Sequence, residues 1–176
     1  MFFLFLSYAR PAKRLAAERP PTGVFCVPVL ASILGQSLLH LAALMLALQA
    51  VQPFVERDDP AMHPDGKFAP NVVNSVMFLL SSVMQLNTFV VNYKGHPFMA
   101  SFWEHKLLSR SALLAYVVLA LAVTDIVPAM NELLELVPMP TIELQRTVAL
   151  LMIADTAAVL ALEALIQTSS RWWTKK

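Results

Sequence analysis

The sequence predicts an all-α membrane protein of four transmembrane helices, and three observations carry that prediction. Hydrophobic residues make up 57% of the 176 residues and the mean hydropathy is +0.61, more apolar surface than one small soluble core buries. Four separate stretches meet the length a bilayer demands, roughly 20 predominantly apolar residues to cross about 30 Å at about 1.5 Å per residue. Lys and Arg fall in alternate connections, the pattern of short basic loops held in the cytosol.

Residues 1–6, Met-Phe-Phe-Leu-Phe-Leu, are too short an apolar run for a signal peptide, and the basic residues follow rather than precede them. They read as the end of a preceding transmembrane helix. Residues 7–23 form a basic cytoplasmic loop with Arg10, Lys13, Arg14 and Arg19. The first span covers 24–52 and contains no Lys, Arg, Asp or Glu, which a soluble helix with a solvated face would carry. A lumenal loop at 53–70 follows, broken by Pro53, Pro60, Pro64 and Pro70 and richer in acid than base.

The second span is 71–93, and the cytoplasmic loop at 94–108 leads to the third span, 109–128. Lys94 and Lys106 lie in that loop, and Arg110 stands just inside the third span. Pro128, Pro138 and Pro140 are expected to end the third helix and shape a lumenal hairpin at 129–142. The fourth span is 143–167, and a cytoplasmic tail at 168–176 carries Arg171, Lys175 and Lys176 beside an aromatic anchor, Trp172 and Trp173. Ten basic residues thus lie on one side and three, Arg57, Lys67 and Arg146, on the other, so both ends are expected in the cytosol.

Several function classes are excluded. Cys26 is the single cysteine, so neither an intrachain disulfide nor a cysteine zinc site can form. The four glycines are scattered, so no phosphate-cradling loop exists, and no cofactor site is expected in this chain. A net charge of +1 argues against nucleic acid as a partner. His63, His96 and His105 lie in loops and make no ligand pair with His40 at helical spacing, so no metal site is expected either.

Polar residues inside a span must face protein or water, because hydrocarbon offers them no partner. Asn74, Ser81, Gln85 and Asn92 fall within about 20° of one line along the second span at about 100° per residue. That line is either an interhelical hydrogen-bonding face or the wall of a transport cavity. The first span offers Ser32, Gln36 and His40 at four-residue spacing, with His40 read as a packed, hydrogen-bonded side chain. Asp125 stands near the outer end of the third span, within reach of interfacial water. Asp155 lies deep in the fourth and must be protonated, paired across the bundle or facing a wet cavity. Glu163 is expected to snorkel or to pair with cations of the tail.

Three strings then carry a resemblance: Arg19-Pro-Pro-Thr-Gly-Val-Phe25, Thr88-Phe-Val-Val-Asn-Tyr-Lys-Gly-His-Pro-Phe98 and Leu136-Val-Pro-Met-Pro140. Together with the order of spans they resemble the carboxy-terminal membrane region of the type-five-A P-type ATPases. These are transmembrane-helix dislocases of the endoplasmic reticulum. The Asn-Tyr-x-Gly-x-Pro-Phe run is the most specific of the strings.

The resemblance implies the last four helices of such a pump, a support for the moving helices. It implies ATP and magnesium as cofactors of the parent protein. It implies as partners the lipid bilayer, the remaining helices and cytosolic domains of the parent ATPase, and transmembrane-helix substrates. It also implies a substrate cavity that Asp125 would line in preference to Asp155. The Asp-Lys-Thr-Gly-Thr phosphorylation motif and the Thr-Gly-Glu actuator loop are absent from the chain, so no catalysis is expected in it. A self-standing four-helix adaptor or assembly subunit, using the polar line of the second span as its interface, is the alternative. A small membrane enzyme using His40 or the acidic residues is disfavoured, because no nucleophile, base and orienting group fall together in the sequence.

Overall fold

The computed structural model describes residues 10–12, 23, 25–55, 69–95 and 98–173, with side chains described through residue 169. The expectations for Met1–Leu6, for Pro60 and Pro64 and for the Trp172–Trp173 anchor fall outside that description.

Cys26, in extended backbone, precedes the first helix, α1 (Val27–Val51), and Pro28 sits in its first turn, where a missing N–H costs nothing. At the far end Pro53 tightens the chain into a 3-10 turn, Gln52–Phe54. The second helix, α2 (Val72–Asn92), starts on Asn71, whose side-chain oxygen accepts from the Asn74 N–H at 2.8 Å. The third, α3 (Lys106–Thr124), starts on His105, whose Nδ1 accepts from the Leu108 N–H at 3.2 Å.

Here the structure corrects the sequence reading. The third helix begins three residues earlier than expected and stops at Thr124, where Asp125 takes left-handed backbone (φ 51°). Pro128 does not end that helix. It opens a short one, α4 (Pro128–Leu133), because a proline near a helix boundary fits the first turn of a new helix as well as it blocks an old one. The last helix, α5 (Ile142–Trp173), is capped by Thr141, which accepts from the Leu144 N–H at 3.2 Å. It continues past 167, since Thr168 to Trp173 includes no Gly or Pro to stop it. The polar residues there mark the edge of the lipid, not of the helix.

Four helices are long and apolar enough to cross a membrane, over Val27–Phe54, Val72–Asn92, Lys106–Thr124 and Ile142–Ser169. Among the described residues there are no strands beyond one isolated bridge, Pro11 with Met99. Helices α2 and α5 form the centre of the bundle. Each touches the other, and both touch α1 and α3. Outward faces remain apolar, with Leu34, Leu38, Leu113 and Leu150 all more than half exposed, as a lipid-facing surface requires.

The two halves of the bundle differ. One half, where α1 ends and α2 and α5 begin, has an apolar core of Val51, Val76, Leu80, Val83, Val148 and Met152. Ala43 and Ala47 on α1 let that helix come close. Ala47 is fully buried, so Ala47→Leu is expected to destabilise the chain by about 1–3 kcal/mol through overpacking, read as earlier unfolding of the full chain in mixed micelles. The other half carries the polar groups.

Candidate functional site

Four-residue spacing on α1 brings Ser32, Gln36 and His40 to one side of the helix, and α5 answers with Asp155, Thr156 and Glu163. They make two linked clusters. In the first, Asp155 has no exposed side-chain surface; its Oδ1 lies 2.8 Å from His40 Nδ1, and its Oδ2 accepts from Asn87 Nδ2 at 2.9 Å. Asn87 also donates to Thr156 Oγ1 at 3.0 Å and accepts from the Tyr116 hydroxyl at 2.7 Å, which ties α3 into the cluster. His40 Nε2 lies 3.2 Å from Thr88 Oγ1. Four helices therefore meet in one hydrogen-bonded cluster around this carboxyl group.

In the second cluster, Ser32 Oγ donates to Glu163 Oε2 at 2.7 Å and accepts from Gln36 Nε2 at 2.8 Å. Gln36 Oε1 accepts in turn from Asn92 Nδ2 at 3.1 Å. Lys94 Nζ meets Glu163 Oε1 at 2.8 Å, and Gln167 donates to the same oxygen. Among the described residues the cation that meets Glu163 is Lys94, because α5 runs alongside the end of α2 at that depth. Lys94 is half exposed and Ser32 and Gln167 remain as donors, so Lys94→Met is expected to cost about 0.5–1 kcal/mol in the same unfolding experiment.

The sequence-predicted residues separate into three groups. Asp155, His40, Gln36 and Asn92 are brought together across helices, and for Asp155 the structure selects pairing among the three states open to it. Asn74 and Gln85 lie exposed on the outside of α2, and Ser81 bonds back to the Phe78 carbonyl of its own helix. Asp125 is held locally at the end of α3, accepting from Asn131 Nδ2 at 2.8 Å. Sequence reasoning does not reach Asn87, Tyr116 or Thr156. Asn87 lies roughly 140° around α2 from Asn74 at about 100° per residue, off the polar line. A lone amide in mid-span was the signal available.

Asp155, His40 and Thr88 also form an acid, imidazole and hydroxyl series, a grouping the sequence had not suggested because the three are far apart in the chain. Thr88 lies inside α2, so the backbone N–H groups beside it belong to the helix ladder and make no oxyanion hole. The series orients His40 and does not arm a nucleophile. Among the described residues no group of three His, Cys, Asp or Glu side chains could hold a metal ion. Both carboxylate oxygens of Asp155 and of Glu163 are already bonded by protein groups. These side chains do not fit a bound magnesium nucleotide.

The described residues of the most specific string, Asn92 to Gly95 and Phe98, form a clasp with Met99 and Ala100 where the polar half ends. Met99 N donates to Gly95 O at 2.7 Å, and the Tyr93 hydroxyl donates to Ala100 O at 3.2 Å. Ala12 N donates to Phe98 O at 2.9 Å, and Ala100 N to Arg10 O at 2.8 Å. With Asn92 on Gln36 and Lys94 on Glu163, the run ties α1, α5 and residues 10–12 to the end of α2. Burial pushes the Tyr93 phenol up from its ordinary pKa, so the hydroxyl stays a donor.

No protein-family model matches the chain. Individual relatives do. The chain is 37% identical over 139 residues to a probable manganese-transporting ATPase of Arabidopsis thaliana, which covers 79% of this chain and 12% of the relative. It is 33% identical over 165 residues to an endoplasmic reticulum transmembrane helix translocase of Aspergillus fumigatus, covering 94% and 12%. The translocase of the same name in Saccharomyces cerevisiae is 35% identical over 138 residues, covering 78% and 11%. The chain spans only 11–14% of the length of the curated relatives it matches. With four helices apolar enough to cross a membrane and relatives 33–37% identical over most of its length, the chain belongs to the type-five-A P-type ATPases, the endoplasmic reticulum transmembrane helix translocases, and corresponds to their carboxy-terminal membrane segment.

Proposed function

We propose that the chain is the membrane support of an ATP-driven translocase that extracts transmembrane helices from the endoplasmic reticulum membrane. Both of its ends, and the connection between α2 and α3, would lie in the cytosol. Phosphoryl transfer, with its ATP and magnesium, belongs in this reading to cytosolic domains of the parent polypeptide. The plant relative's name adds ion transport, which the same support would serve.

One observation carries the reading: along the polar line of α2, beside α1, polar side chains are left open to the outside of the bundle. Gln85 and Asn74 are exposed there, and the His40–Thr88 and Gln36–Asn92 pairs reach the same surface. In hydrocarbon such a face costs free energy until other helices or water meet it. The α1–α2 side therefore borders the remaining helices and their substrate cavity. In this reading Asp125, whose Oδ1 accepts from Asn131 Nδ2, stands apart from that wall.

The length of the native product tests this, by immunoblot against the tail at residues 171–176. A band several times heavier than 19.5 kDa is expected. A band at 19.5 kDa overturns the reading and leaves a self-standing four-helix adaptor.

A further inference from the structure

The connection between α3 and α5 combines an apolar exterior with a backbone bonded from within over residues 130–137. Ile126 is 68% exposed and Leu133 83%, and Val127 and Leu134 are open as well. Two pairs of positions this apolar and this open would be unfavourable in water. Meanwhile the N–H groups of Asp125, Met130, Leu134, Glu135 and Leu136 all donate to carbonyls of the same connection or of the end of α3, and Val137 N donates to Ser75 Oγ at 2.8 Å. Asn131 turns inward, giving its amide to Ala122 O and Asp125 Oδ1.

Depth points the same way. Helix α3 has 19 residues, about 28 Å at about 1.5 Å per residue, just enough for the hydrocarbon, so its end at Thr124 stands at the hydrocarbon edge. The segment that follows begins there. Both flanking helices already expose apolar side chains to lipid, Val117 and Val118 on α3 and Leu150 and Ile153 on α5.

We propose that residues 126–134 lie in the bilayer interface as a re-entrant anchor, with Ile126, Val127, Leu133 and Leu134 among the acyl chains and Glu132 and Glu135 toward the headgroups and water. The physical basis is that lipid accepts irregular backbone only where its polar groups are bonded internally, as over 130–137, while the N–H groups of Ile126 and Val127 sit at interfacial depth, where water meets them. A solvated hairpin would need neither that bonding nor the apolar exterior. The proposal requires only four spanning helices and does not depend on the ATPase reading. Its consequence is mechanical: the ends of α3 and α5 are held at a fixed depth.

The test is photo-crosslinking in the native membrane, with benzoylphenylalanine placed singly at Ile126, Glu132, Leu133 and, as a lipid-facing reference, Leu150. Peptide mass spectrometry then reads the adducts. Ile126 and Leu133 are expected to give phospholipid adducts at the yield of Leu150 and severalfold above Glu132. Adducts to protein at Leu133 would mean that another chain or segment covers the patch and would overturn the proposal. Equal low lipid yield at Leu133 and Glu132, with Leu150 still labelled, would mean a solvated loop and overturn it equally. Ile126 and Leu133 report independently, so one poorly folded variant does not decide the result.

Discussion

Asp155→Ala is expected to destabilise the bundle by about 2–3 kcal/mol, the larger of the two effects foreseen for single side chains of the polar half. The carboxyl group has no exposed side-chain surface and is bonded from α1 and α2 at once. Interhelical hydrogen bonds in membranes are modest, averaging about 0.6 kcal/mol and reaching about 1.7, because the separated helices find other partners. Two such bonds alone would not reach the expected value. The rest comes from what the deletion strands, since His40 Nδ1 and one amide hydrogen of the buried Asn87 lose their acceptor inside the bundle.

The same reasoning predicts that the double variant His40→Leu with Asp155→Leu recovers more than half of the loss, because both ends of the pair then become apolar. Asn87 keeps Thr156 and Tyr116 in that variant. Denaturant unfolding of the full chain in bicelles, arranged as a double-mutant cycle, measures both numbers. A coupling near zero would show that His40 and Asp155 are solvated independently, and the account of the buried cluster would fail.

Gly95→Ala is expected to open the clasp at a cost of about 2 kcal/mol or more. The reason is steric, not conformational. A β-carbon at this position would land on the carbonyl of Ala100, which is backbone and itself accepts from the Tyr93 hydroxyl. It would also crowd Met99 O at 3.1 Å. The loop must therefore move, and the Met99 to Gly95 and Ala100 to Arg10 bonds go with it. Amide exchange at Ala12, Met99 and Ala100 is expected to speed up by a factor of about 30, the equivalent of roughly 2 kcal/mol at about 1.4 kcal/mol per tenfold, while exchange in α2 before Asn87 stays unchanged. Unaltered exchange at Met99 and Ala100 would mean that the loop absorbs a methyl group and that glycine is not required there.

The polar line of α2 illustrates where reading a sequence succeeds and stops. Its angular alignment followed from spacing alone, and so did the conclusion that it cannot face lipid unaided. Only one of its four members, Asn92, found its partner inside this bundle, while Asn74 and Gln85 point outward. Periodicity identifies a face but not its neighbour. Asn87 was invisible for the complementary reason: a single buried amide makes no pattern, and its value arises from Asp155 and Tyr116, which lie 68 and 29 residues away.

The sequence by itself determined the class of the molecule, the number of its spanning helices and its family motifs, because hydrophobic length and local composition are enough to partition a chain between water and lipid. Only the tertiary structure decided that α2 and α5 form the centre, that Pro128 starts a helix, that Glu163 takes Lys94 and that Asp155 is shared among helices. Those outcomes depend on which helix faces meet at which depth. Hydrogen bonds between residues so distant in the chain are set by packing, and no local pattern encodes them.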